Sequence, residues 1–360
     1  MSTRTRTSWR LALGMFAASI VALAIAGPAF AAPATTSQEI PTPANAMTDR
    51  FGFAVAVSGD GNEALVGAPG SNPPNNMPGQ AYIFTRHDNS GWSPPLQLTP
   101  SSSSPNDFFG GAVALSRDGN TALVSAAGDV FAGNNNAGVA FIFVKQGNQW
   151  TQQAEITGTA PGHTAGDNFG FSVALDNGGH EALVGAPGES NDEGAAYIFT
   201  RHDSSWPLQA KETDPGKTNS APQPGDNFGF SVSLDNDGHE ALVGADQGGL
   251  SGAQTGVGPG FAEVYTEHGS AWDSATQLTA TGGATGDAFG NAVALDNDGH
   301  TALIGAEGTN GSTGAAYAFS MQGMTWSQRQ KLTGGDSMPG DLFGYAVAID
   351  DDAHIAAISS

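Results

Sequence analysis

Apolar and polar positions alternate in short bursts along most of the chain. Phe169, Phe171, Val173 and Leu175 fall on one side of an extended segment, and Ser172 and Ala174 fall on the other. A period of two predicts a β-strand. Polar, turn-forming residues follow at Asp176-Asn177-Gly178-Gly179, and then the apolar run Ala182-Leu183-Val184-Gly185-Ala186. An unbroken apolar run of this length suits a strand covered on both faces. The turn between the two runs predicts a hairpin, with glycine supplying the positive φ. A Gly-rich stretch then leads to an aromatic run, Ala195-Ala196-Tyr197-Ile198-Phe199, and a segment holding Trp206 closes the pattern. The whole unit reads as four antiparallel strands without helical periodicity.

This unit repeats. Phe-Gly recurs at Phe51-Gly52, Phe109-Gly110, Phe169-Gly170, Phe228-Gly229, Phe289-Gly290 and Phe343-Gly344, at intervals of 58, 60, 59, 61 and 54 residues. An Asp precedes each Phe by two: Asp49, Asp107, Asp167, Asp226, Asp287 and Asp341. The second run ends in Gly67-Ala68-Pro69 and Gly185-Ala186-Pro187. Elsewhere it reads Ser125-Ala126-Ala127, Gly244-Ala245-Asp246 and Gly305-Ala306-Glu307. One Trp follows in each of the first five repeats, at Trp92, Trp150, Trp206, Trp272 and Trp326. One small sheet per repeat cannot bury both of its faces. Radial stacking lets each sheet cover the next, which predicts an all-β chain folded as a β-propeller of four-stranded antiparallel blades. A linear β-solenoid is the alternative, although its repeat is normally much shorter. Repeats start near 49, 107, 167, 226, 287 and 341. The propeller therefore has six blades with the last incomplete, or seven if the natural chain is longer.

The two ends differ from the repeats. Arg4, Arg6 and Arg10 precede the apolar stretch Leu11 to Gly27, and Ala29-Phe30-Ala31 has the small residues of a cleavage site. Residues 1–31 are read as a secretory signal peptide and 32–360 as one propeller domain. Ser37-Gln38-Glu39-Ile40-Pro41 matches the fourth-strand pattern of Leu96-Gln97-Leu98-Thr99-Pro100. It is expected to add the outer strand of the last blade, whose first two strands lie in Tyr345–Ile349 and His354–Ile358. That blade would then lack its third strand, leaving an open apolar edge that frays or associates.

Phe-Gly followed by Gly-Ala-Pro at this separation resembles the FG-GAP repeat of the integrin α-subunit head, and more closely still that of bacterial secreted FG-GAP proteins. The resemblance spans residues 37 to 360. It implies a propeller, and it implies ligand binding by loops on one rim. In integrins the hairpin between the first two strands carries a calcium loop of the form D-x-D-x-D-G-x-x-D. Laid over that form, Asp235, Asp237 and Gly238 match, with Ser233 and Ala241 at the outer places. Asp296, Asp298 and Gly299 match likewise, with Ala294 and Thr301 outside. Asp235, Asp237, Asp296 and Asp298 are thus the candidate Ca2+ ligands. Calcium takes 6–8 oxygens, and these loops offer few carboxylates each. A plain Asp/Asn/Gly turn explains the same residues.

Charge narrows the partners. Twelve basic residues stand against 35 acidic ones, a net charge of −23. Nucleic acid and anionic membrane surfaces both require clustered Lys and Arg, and both are excluded as partners. The absence of cysteine removes disulfides, thiolate metal sites and cysteine nucleophiles. His180, His239, His300 and His354 stand at equivalent places in the last four repeats, where the first two have Asn62 and Asn120; they are too far apart to share an ion and read as polar strand starts. The repeated Trp residues read as packing between blades, with a carbohydrate platform as the alternative. No G-x-S-x-G, H-E-x-x-H or phosphate-loop motif is present. No single pair of carboxylates stands out as an acid/base couple. The expectation is therefore a secreted, non-catalytic binding or adhesion module for an extracellular protein or glycan. Its ligand would be held by the long loops Gly70–Gln80, Gly128–Gly138 and Gln247–Gly260. The alternative is a secreted enzyme of lyase or glycosidase type on the same scaffold.

Overall fold

The computed structural model describes residues 39–43, 50–70, 78–87, 91–102, 107–128, 137–158, 166–214, 225–248, 258–269, 271–273, 275–351 and 353–360. The signal segment 1–31 and the central parts of the three long loops lie outside these residues. Each repeat forms one antiparallel sheet whose strands follow chain order. Blade 3 is typical, with strands Ser172–Leu175, Glu181–Ala186, Ala195–Thr200 and Leu208–Glu212. Blades 2 and 5 have the same four strands. In blades 1 and 4 the fourth strand is split, as Gly91–Trp92 with Leu96–Leu98 and as Ala271–Trp272 with Thr276–Leu278. Blade 6 contains Val347–Ile349 paired with Ala356–Ile358.

The second strands of blades 1 to 3, such as Glu181–Ala186, are buried along their whole length, as a run apolar on both faces requires. Five apolar clusters lie between successive blades. Between blades 2 and 3, for example, Leu123 and Ile142 meet Phe169, Val184 and Tyr197. Trp206 joins that cluster, and its indole Nε1 donates to Gln153 Oε1 of blade 2 at 2.9 Å. Trp272 likewise donates to Gln209 Oε1 of blade 3 at 3.1 Å. These tryptophans tie blades together, which agrees with the packing reading.

The repeated motif is an interlock between neighbours. The amide of each Phe from Phe109 to Phe343 donates to a carbonyl of the preceding blade. These bonds run from Phe109 to Pro78, Phe169 to Ala137, Phe228 to Glu193, Phe289 to Pro259 and Phe343 to Thr313, at 2.9–3.1 Å. The Phe ring then packs edge-on against its own third strand, as Phe169 does on Tyr197 with centroids 5.3 Å apart. The carbonyl of the following glycine sits against the first glycine of the preceding Gly-Ala-Pro segment. A Cβ on Gly185 would collide with the Gly229 carbonyl oxygen. Ser172 Oγ seals the same contact by donating to Gly229 O at 2.8 Å, and Ser231 Oγ does so to Gly290 O at 2.7 Å.

Two expectations change. In blade 3 the first strand begins at Ser172, not at Phe169. Asn168 takes a left-handed φ of 57°, so the chain bends at the motif before the strand starts. Phe169 therefore points between blades, while Phe171 meets Phe230 at 4.9 Å in the central channel. At the N-terminus, Glu39–Pro43 is not in a strand. Ile40 packs on the outer face of blade 1, beside a cluster containing Val66, Tyr82 and Phe84.

Gly185→Val is expected to destabilise the fold by about 1–3 kcal/mol through overpacking, read as a lowered urea midpoint. Gly335→Ala has open space around the new methyl, and is expected to stay within about 0.5 kcal/mol of wild type. Equal midpoints for the two variants would show that the blades do not meet at Gly185.

Candidate functional site

The hairpin turns between first and second strands gather at one end of the channel. Their backbones bond in series: Asp118 N to Asn177 O, Asn177 N to Asn236 O, Asn236 N to Asn297 O and Asn297 N to Asp351 O, at 3.1–3.3 Å. Asn177 Nδ2 donates to Asn297 Oδ1 at 3.2 Å, and Arg117 pairs with Asp351. Within each turn the first Asp caps the hairpin. Asp235 Oδ1 accepts from the amides of His239 and Glu240 at 2.8 and 3.0 Å. Asp296 Oδ1 accepts from His300 and Thr301, both at 2.9 Å. Asp235 and Asp296 are buried, whereas Asp237 and Asp298 are exposed. Among the described residues, no three His, Asp or Glu side chains lie close enough to hold a metal ion.

The opposite end carries a different chemistry. There the second strand ends and the Gly-Ala-Pro segment leads to the next strand. Blades 1 and 3 have Pro69 and Pro187 at this point, but blades 4 and 5 have Asp246 and Glu307. Asp246 is 3% exposed. Its Oδ1 accepts from Asn227 Nδ2 at 2.7 Å and from the Gly248 amide at 3.0 Å. Burial nevertheless pushes its carboxyl above the usual range. Glu307 is pushed up to about 7, first by burial and then by the negative charge of Asp246. Its amide donates to Asn291 Oδ1 at 3.4 Å, and Asn291 Nδ2 reaches the carbonyls of Gly344 and Tyr345 in blade 6 at 3.1 Å. Glu307 Oε2 and Asn227 Oδ1 are buried without hydrogen-bond partners. Buried polar oxygens in native proteins are nearly always bonded, so two acceptors here are left for something else.

This arrangement can move protons. A carboxyl group that titrates near 7 is populated as both acid and base at neutral pH, as general acid–base chemistry requires. The pair is singular to blades 4 and 5. The pair belongs to no motif; its mark in the sequence is an acidic residue, Asp246 or Glu307, where Gly-Ala-Pro has Pro.

Five stacked blades and a sixth sheet around a channel define a β-propeller. The chain belongs to the FG-GAP repeat family, which matches residues 42–84, 92–143, 150–199, 272–319 and 326–360. The unmatched interval 200–271 contains Phe228-Gly229 and Asp246, where blade 4 departs from the repeat. No protein of curated function matches the chain. Among solved structures it is similar to the periplasmic gluconolactonase PpgL of Pseudomonas aeruginosa, at 17% identity and a TM-score of 0.54, covering 82% of this chain and 75% of that one. It is also similar to a candidate 6-phosphogluconolactonase from Bacteroides uniformis, at 11% identity and a TM-score of 0.55, covering 85% and 77%. Proteins named as lactonases thus share this fold, and the expectation that the chain is not an enzyme is corrected on that finding. No helix among the described residues is long and apolar enough to cross a membrane.

Glu181 and Glu263 are pushed up to about 8 by burial, and Glu307 to about 7. Each binds its proton more tightly in the folded chain than at its ordinary value near 4.5. Each therefore favours folding fully below pH 4.5, and that contribution falls as pH climbs through 7 to 8. Glu307→Gln is expected to flatten the decline in melting temperature between pH 5 and 7.5. An unchanged slope in the variant would show that Glu307 is ionised throughout that range.

Proposed function

We propose that this protein is a secreted or periplasmic propeller enzyme whose ligand sits on the face opposite the hairpin turns, with Asp246 and Glu307 as its proton-transfer pair. One observation carries the reading: a non-repeated pair of carboxyl groups, Asp246 buried and Glu307 half-buried, with Glu307 Oε2 itself buried and unbonded. The long connections between second and third strands open on the same face, so loop-mediated binding and chemistry at the pair share one surface. The signal-like residues 1–31 support an extracytoplasmic site of action. A sugar-derived lactone is the substrate class to test, because two proteins named as lactonases share the fold.

In that reaction water adds to the acyl carbon and the ring C–O bond breaks. One carboxylate of the pair takes the proton from the attacking water. The protonated partner gives its own to the departing ring oxygen, and the product is a hydroxy acid. The test is a pH-stat assay on glucono-1,5-lactone. Wild type is expected to exceed the spontaneous rate, and Glu307→Gln to lower kcat about 10²–10⁴-fold with little change in KM. A wild-type rate equal to the spontaneous one from pH 6 to 8 would remove this substrate class.

A further inference from the structure

Blades 3 and 5 are built alike where the second strand passes to the third. In blade 3 the connection is the short helical turn Glu189–Asp192, with Ser190 and Asn191 in the left-handed region. In blade 5 it is Thr309–Ser312, with Asn310 and Gly311 in the same conformation. The backbone bonds correspond one to one. Gly194 N reaches Glu189 O at 3.0 Å, and Gly314 N reaches Thr309 O at 2.9 Å. Asn227 N reaches Asp192 O, and Leu342 N reaches Ser312 O, at 2.9 and 3.1 Å. The register corresponds too: Tyr197 faces Lys211 across its sheet, and Tyr317 faces Lys331. In both blades the lysine ammonium lies 5.3 Å from the tyrosine ring centroid.

One group differs. In blade 3, Glu189 places a buried carboxylate between the two partners. Its Oε2 accepts from the Tyr197 hydroxyl at 2.5 Å, and its Oε1 pairs with Lys211. Blade 5 has Thr309 at that place. The shorter side chain brings no carboxylate, and Thr309, 3% exposed, has its Oγ1 buried without a hydrogen-bond partner. Among the described residues Lys331 has no acidic partner. Among the described residues the Tyr317 hydroxyl likewise has no hydrogen-bond partner, although the residue is only 1% exposed. A hydroxyl donor, an ammonium and a second hydroxyl therefore surround the place that a carboxylate fills in blade 3. Lys331 is exposed, so the place can be approached from the outer side of the blade.

We propose that Tyr317, Lys331 and Thr309 form a binding site for the carboxylate group of a ligand, with the Glu189 contacts of blade 3 as its template. The charge-assisted bonds are those that make a carboxylate–lysine pair strong, and a phenol donor adds direction. This site is independent of the Asp246–Glu307 pair and does not require that pair to be catalytic.

Acetate is the probe, because a glutamate side chain replaced by threonine removes a group of about that size. Saturation-transfer NMR on the protein is expected to show acetate binding in wild type, its loss in Thr309→Glu, and retention in a Tyr82→Phe control. Thr309→Glu is also expected to raise the melting temperature in chloride, because the new side chain supplies the missing carboxylate. A second variant guards against misfolding. Glu189→Thr should lower the melting temperature in chloride and recover part of the loss in acetate at equal ionic strength. Absence of acetate transfer to wild type, or equal transfer to wild type and a folded Thr309→Glu, would overturn the proposal. So would a Glu189→Thr variant whose melting temperature is the same in acetate and chloride.

Discussion

The structure depends on a backbone contact between neighbouring blades. The carbonyl of the Phe-Gly glycine rests against the Gly-Ala-Pro glycine of the blade before it, and the Phe amide bonds to that same blade. At Gly67, Gly185, Gly244 and Gly305 a Cβ would lie 2.0–2.2 Å from that carbonyl oxygen and force the two chains apart. The contact also orients the Phe ring into the apolar space between sheets, where Phe109, Phe169, Phe228 and Phe289 are all fully buried. Hydrophobic burial supplies most of the stabilisation, but the glycine contact sets the distance and angle at which each blade meets the next. Blade 2 has Ser125 in place of glycine, with Ser125 Oγ accepting from the Ala112 amide of its own blade at 2.8 Å, and the Phe169 amide still bonds to Ala137 O of blade 2 at 3.0 Å.

Because the interlock uses backbone and buried rings, it leaves the ends of the strands free to vary. The two ends are used differently. At the hairpin end the acidic residues serve structure, capping turns and linking them in series around the channel. At the other end, Glu307 and Thr309 depart from the repeat and leave Oε2 and Oγ1 buried without hydrogen-bond partners. Unfilled buried acceptors and donors have a cost. Their concentration on the loop face of blades 4 and 5 is the physical argument that this face handles a ligand.

The fold was legible in the sequence because Phe-Gly recurs at a nearly constant interval and each repeat keeps the same order of alternating and unbroken apolar runs. The role of the tryptophans was legible for the same reason, since a residue at fixed phase packs in the same way each time. The start of the first strand was legible in blades 4 and 5, where it begins at Phe228 and Phe289, but not in blade 3, where it begins at Ser172. A left-handed residue stands before Phe169, Phe228 and Phe289 alike, and in blade 3 pairing with the second strand begins only at Ser172, which parity does not reveal. The site was less legible still. Asp246 and Glu307 sit among 35 acidic residues, and only burial distinguishes them from solvated ones. Thr309 is ordinary by type, and its meaning comes from Glu189 in the equivalent place two blades earlier.

Amide hydrogen exchange tests the interlock most directly. The amides of Phe109, Phe169, Phe228, Phe289 and Phe343 each bond to the preceding blade, whereas that of Val184 lies in a central strand of one blade. If the blades are held as one cooperative body, the Phe109, Phe169, Phe228 and Phe289 amides exchange as slowly as that of Val184, through global opening. If those four exchange orders of magnitude faster while Val184 stays protected, the blades open from one another independently and the interlock does not hold the propeller together.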